Sequence, residues 1–136
     1  MLEHVDDLDR LLAETSRVLK PGGVYLYDTI NRTRRSRLVA IKLMHEWRST
    51  ALMEPNLHDW DMFIKPRELV ATMARAGLES RDIVGIGPAR NPVSMVMDMR
   101  RRARGDMTYA AFGARNRFRE TRDRSLLYAC HALQRP

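Results

Sequence analysis

Residues 2–30, LEHVDDLDRLLAETSRVLKPGGVYLYDTI, carry a helix signal, a stop and a strand signal in direct succession. Nothing else in the chain narrows the possible fold as much. Asp6 or Asp7 can cap a helix in which Leu8, Leu11, Leu12, Thr15, Val18 and Leu19 recur with the 3.6-residue period of one face. Acids near its start, and Arg17 and Lys20 near its end, complement the helix dipole. Pro21 cannot continue the helix, and Gly22 and Gly23 give the backbone freedom for a sharp turn. The following VYLYDTI is short, β-branched and aromatic, which predicts a strand covered on both faces, as in a parallel sheet. Helix, tight turn and buried strand make one stroke of an α/β fold.

Further elements follow. Leu38, Val39, Ile41, Leu43, Met44 and Trp47 give residues 33–48 a broad apolar helical surface behind an arginine-rich leading end. A loop through Glu54, Pro55, Asn56 and His58 comes next. Phe63 and Ile64 then lead into a helix starting at Pro66, where the missing N–H costs nothing. Leu69, Val70, Met73 and Ala74 line its inner face, Gly77 ends it, and Leu78 can pack back on its last turn. Residues 82–87 predict a strand, 88–124 two short helices broken at Gly105 and Gly113, and 125–133 a last strand.

At 136 residues and 44% hydrophobic content the chain suits one domain with one core. Its single cysteine, Cys130, excludes an internal disulfide framework and fits a reducing compartment. No apolar run nears the roughly 20 residues that cross a bilayer, and no signal peptide opens the sequence. The expected location is cytoplasmic, with peripheral membrane contact as an extension.

The net charge of +7 is unevenly placed. Nine arginines between Arg100 and Arg124 face only Asp106, Glu120 and Asp123, and Arg32, Arg34, Arg35 and Arg37 form a second cluster. Residues 1–15 are acidic. Two discrete basic segments point to local contacts with an anionic surface rather than to a uniform basic coat. Beside the apolar 33–48 helix, with Trp47, Leu52 and Met53 expected outside, the pattern fits an anionic membrane surface; a core-facing helix with a solvated basic end is the other reading. Tyr109, Phe112 and Phe118 interleave with arginine as stacking platforms for single-stranded nucleic acid would, although the same spacing suits a helix core. Nucleic acid is the lesser reading.

LEHV at 2–5, LKPGG at 19–23, the strand ending Thr29-Ile30-Asn31, and HDWDMFIKPREL at 58–69 together resemble the ubiquinone-biosynthesis O-methyltransferases. These are class I enzymes that use S-adenosylmethionine. The resemblance runs in order from Met1 to about Pro88 and returns in LLYACHALQ. It implies the C-terminal part of a Rossmann-like methyltransferase sheet, about three strands with flanking helices. Residues 1–31 would hold a helix and core strand, 32–88 a helical substrate-side region and strand, 89–124 a basic helical insertion, and 125–136 the last strand, all in one partial domain.

The family grips its cofactor with a glycine loop after the first strand and an acid after the second. Neither matches this sequence, where the early pair Gly22-Gly23 follows a helix, so no residue is assigned to the cofactor. An isolated chain of this kind is expected to be inactive. Some members are proposed to hold a divalent metal with the Glu and His of LEHV. Carried over, Glu3 and His4 are the expected catalytic and metal residues, with Mg²⁺ as the expected ion. His58 could orient a loop near the substrate, His45 and His131 read as packing or surface residues, and Cys130 reads as a small buried hydrophobe. The implied substrate is a small aromatic or prenylated hydroxyl compound. Strands 24–30, 82–87 and 125–133, taken as parallel, would leave an open edge that invites self-association or completion by an N-terminal half.

Overall fold

The computed structural model describes residues 2–54 and 57–135; Pro55 and Asn56 of the expected loop lie outside the described residues. A 3₁₀ turn, Leu2–His4, precedes α1 (Leu8–Val18) and β1 (Val24–Ile30). Asp7 caps α1, its carboxylate accepting from the Arg10 N–H at 2.9 Å. Leu12 is buried, whereas Val18, assigned to the same face, points into solvent. One turn of helix, α2 (Arg34–Ser36), runs straight into a π-helical stretch, Arg37–Glu46. Then come a 3₁₀ turn at Trp60–Met62, α3 (Pro66–Arg75), β2 (Leu78–Ser80) and β3 (Val84–Pro88). The chain finishes with α4 (Pro92–Ala103), α5 (Tyr109–Arg115), β4 (Phe118–Thr121) and β5 (Leu127–Gln134).

The fold is α/β with flanking helices, but its sheet is antiparallel and has five strands. Every pairing among the described residues is antiparallel, in the order β1-β5-β3-β4, with β2 also on β5. This corrects the parallel edge of three strands expected from the sequence. β1 and β3 do run in the same direction, because each is antiparallel to β5, which is inserted between them. The inserted strand returns after the α4–α5 excursion, and residue pattern carries no direction of travel. The register Val24↔Leu133 to Ile30↔Leu127 fills one edge of β5, so β2 and β3 share the other. Residues 118–121, expected to be helical, form β4, and Gly113 lies within α5 rather than breaking it. Gly105 does end a helix, at φ +84°.

One sheet face packs against α1 and α3 around Leu12, Tyr27, Leu69, Met73, Leu78 and Tyr128. Gly77, at φ +79°, closes α3 and turns Leu78 into this core. The other face is covered only in part. Ile30, Ala40 and Phe63 pack together with Ile41, while Leu43 and Met44 reach a third cluster of Leu52, Met95 and Met99. Beyond them, Leu26 is 75% exposed, so β1 is not covered on both faces as the sequence predicted. Leu52 is buried, against the expectation that it lay outside. β3 and the β4–β5 turn meet closely at Gly85, where a Cβ would stand 1.9 Å from the Asp123 carbonyl oxygen.

Candidate active site

The 3₁₀ turn Leu2–His4 delivers Glu3 to the end of β1, where the buried Thr29 hydroxyl donates to its Oε2 at 2.7 Å. Glu3 is itself only 3% exposed, and its Oε1 is buried with no hydrogen-bond partner among the described residues. A buried carboxylate oxygen in that state is a strong acceptor for a cation or a proton. His4, next in the turn, is exposed.

His58 comes from the segment before the Trp60–Met62 turn and packs edge-on against Phe63, with ring centroids 6.2 Å apart. Ligand atoms of Glu3, His4 and His58 all lie within 4.8 Å of one another. The π winding turns His45 inward, and its Nε2 lies 2.8 Å from His58 Nδ1. His45 Nδ1 in turn lies 2.6 Å from the Glu54 carbonyl oxygen. Long π stretches are rare and tend to occur at functional sites; this one runs Arg37–Glu46, and the Trp47 N–H donates to the Lys42 carbonyl at 2.8 Å. Burial pushes the pKa of His58 below the ordinary imidazole value, and neighbouring His45 and His4 push it further, against a smaller opposing pull from Glu3.

His58 also lines a cavity of about 290 Å³ whose other walls include Ile30, Met44, Leu52, Met95 and Phe112. On its other side it borders a polar cleft with Arg37, Lys42, Glu46, Asp59 and Asp61. A single imidazole thus joins an apolar chamber to a polar opening. The resemblance marks Glu3 and His4, and the structure brings them together with His58, for which the sequence suggests only a loop-orienting role. His45, expected from the sequence to be a packing or surface residue, joins them through His58. Only its contacts expose it, since 13 residues of separation form no local motif.

Other expected features take different places. The Gly22 N–H donates to Gln134 at 3.1 Å, and the Gln134 N–H donates to Gly23 at 2.9 Å, so this pair's backbone is committed to β5. It does not fit a cofactor cradle. Arg32 forks onto Glu68 at 2.6 and 2.7 Å, Arg35 pairs with Asp123, and Arg37 lies over Trp60. Phe112 packs inward, and Tyr109 lies under Arg102 with its hydroxyl on the Leu52 carbonyl. Cys130 is buried, and His131 sits on β5 opposite Leu26. No helix among the described residues is long and apolar enough to cross a membrane.

A methyltransferase-domain family model matches residues 1–27. A ubiquinone biosynthesis O-methyltransferase of Thiobacillus denitrificans is 38% identical over 96 residues, covering 71% of this chain and 40% of the relative. Its counterpart in Pseudomonas putida is 40% identical over 86 residues, covering 63% of this chain and 36% of the relative. That of Paramagnetospirillum magneticum is 30% identical over 118 residues, covering 85% and 44%. The chain thus spans about 40% of the length of the curated relatives it matches. In fold it is similar to a Thermotoga maritima SAM-dependent methyltransferase, described as a possible histamine N-methyltransferase. The TM-score is 0.52 at 16% identity, over 98% of this chain and 52% of that one. Over most of its length the chain is homologous to ubiquinone-biosynthesis O-methyltransferases, and its first 27 residues match part of a methyltransferase domain.

Proposed function

We propose that this chain forms the acceptor side of an S-adenosylmethionine-dependent O-methyltransferase acting on the hydroxyl of an apolar aromatic compound. The observation that carries the reading is the convergence of Glu3, His4 and His58, with His58 also lining the apolar cavity. An aromatic ring seated among Met44, Met95 and Phe112 would bring its hydroxyl to that imidazole. A phenol with a pKa of about 10 attacks a methyl sulfonium only as it loses its proton. Burial keeps His58 neutral near pH 7, with a lone pair to take that proton. A positioned base of this kind contributes about 10²–10⁴-fold.

The same residues fit a divalent ion, because Glu3 Oε1 is buried and unpartnered among the described residues. Glu3, His4 and His58 would hold it. Two imidazoles and one carboxylate suit Zn²⁺ or Co²⁺ better than the Mg²⁺ suggested by the resemblance, since Mg²⁺ favours oxygen ligands. A bound ion lowers the pKa of an oxygen beside it. His58 then serves as ligand rather than base, and the same three side chains still govern loss of the acceptor's proton.

In this reading no residue of the chain is assigned to S-adenosylmethionine, and the chain by itself is inactive. Calorimetry of the purified chain should show no binding of S-adenosylmethionine; micromolar binding contradicts this. For the function, the chain is exchanged for the matching segment of the Thiobacillus denitrificans relative. The chimera should methylate a catechol-type acceptor, and His58→Ala should slow it by about 10²–10⁴-fold. A folded chimera with activity indifferent to His58 and Glu3 refutes the reading.

Two contacts belong to the same proposal. Trp47 at 49% exposure, with Met53 and Leu57 also outside, supports docking on an anionic membrane where an apolar substrate resides. Absence of co-flotation with anionic liposomes at low salt counts against it. The exposed Val24 and Leu26 on β1, the end strand of the sheet among the described residues, support association with a further strand. A stable monomer on sedimentation counts against that.

A further inference from the structure

His4, His58 and His45 lie in a row, with neighbouring ring centroids 5.0 Å apart at both steps. The protons along this row are fixed from its buried end. A carbonyl oxygen only accepts, so at 2.6 Å from the Glu54 oxygen, His45 Nδ1 carries a proton and donates it. A neutral imidazole has one N–H, so His45 Nε2 is then bare. The 2.8 Å contact between that nitrogen and His58 Nδ1 needs one proton, and only His58 Nδ1 can supply it. The remaining nitrogen of His58, Nε2, is left with its lone pair.

We propose that His45 is a positioning residue that locks His58 in its Nδ1–H tautomer, keeping Nε2 available to take a proton or bind a cation. The proposal rests on reading Glu3, His4 and His58 as the acceptor-activating site, but the tautomer can be measured without any activity. Three features equip His45 for the role. It is 5% exposed, so water does not readily replace His58 as its partner. The π winding of Arg37–Glu46 aims it inward. Its anchor is a backbone carbonyl, which adds no charge and cannot itself be protonated in the physiological range. Were the His58 proton on Nε2, that nitrogen could serve neither as base nor as ligand. Outer partners of this kind commonly set ring orientation and ligand strength.

The test is long-range ¹⁵N–¹H correlation NMR on the ¹⁵N-labelled chain at pH 8, above the ordinary imidazole pKa of about 6.5. His45 and His58 should both be protonated at Nδ1. His45→Ala should erase the preference at His58 and weaken Co²⁺ binding, read from its visible absorption, by about 10–100-fold. His45→Gln, whose amide can donate to Glu54 and accept from His58, should restore both. A wild-type His58 protonated at Nε2 overturns the proposal, as does a folded His45→Ala chain with an unchanged His58 tautomer. If His45→Ala does not fold, the wild type and His45→Gln decide. A wild-type chain with the expected tautomer but no Co²⁺ binding upholds the relay and removes the metal reading.

Discussion

Thr29→Val removes one hydroxyl from the structure and nothing of comparable size. Thr29 is fully buried, and its Oγ1 donates to Glu3 Oε2 at 2.7 Å. Glu3 Oε1 already lacks a partner, so the substitution leaves both oxygens of a buried carboxylate unsatisfied among the described residues. A hydrogen bond to a charged group is worth about 1.5–3 kcal/mol. The added methyl in place of the hydroxyl returns a fraction of that, leaving a net loss of about 2 kcal/mol. For a chain of this size the melting temperature should fall by roughly 8 °C. Urea unfolding should show a lower midpoint at an unchanged slope. The charge can be isolated in a cycle with Glu3→Gln, in whose background the bond is between neutral groups and worth about 0.5–1.5 kcal/mol. Equal cost of Thr29→Val in both backgrounds, or a cost under about 0.5 kcal/mol in the wild type, refutes the view that Thr29 supports a buried carboxylate.

Gly85→Ala would place a methyl 1.9 Å from the Asp123 carbonyl, so the β3–β4 pairing must open; a loss of at least about 3 kcal/mol is expected by denaturant unfolding. Asp98 is buried, which raises its pKa, but hydrogen bonds from Arg115 and Asn116 and the charges of Arg115 and Arg90 outweigh burial and lower it. Its contribution is present above the unfolded-state value of about 3.9 and fades as pH falls through the folded value, so Asp98→Asn should flatten the acid limb of a melting-temperature profile. The lowered pKa of His58 makes the unfolded chain bind more protons there, so stability should decline as pH falls below about 6.5. That decline should be shallower in His58→Phe between pH 7 and 5.

The first turn of the fold was readable because its signals are local. Asp7 caps, Leu12 packs, Gly22 and Gly23 turn, and β1 spans the residues that its β-branched and aromatic run suggested. α3 was equally plain, with Pro66 opening it and Gly77 closing it. Strand direction was not readable, since β5 lies between β1 and β3 only because the chain returns from far downstream. Nor was Leu52, whose burial depends on Met95 and Met99, more than 40 residues away. At the candidate site, Glu3 and His4 were marked only through the family resemblance of LEHV. His58 and His45 were linked only when a π winding and an irregular segment set a nitrogen of one ring 2.8 Å from a nitrogen of the other.

In the proposed function, Glu3, His4 and His58 form one site able to bind a divalent ion at the mouth of the apolar cavity. Calorimetric titration of the chain with Zn²⁺ and, separately, Mg²⁺ tests it most directly. One saturable site is predicted, tighter for Zn²⁺ than for Mg²⁺ and lost in both Glu3→Gln and His58→Ala. Absence of saturable binding, or Zn²⁺ binding that survives both substitutions unchanged, would contradict the account.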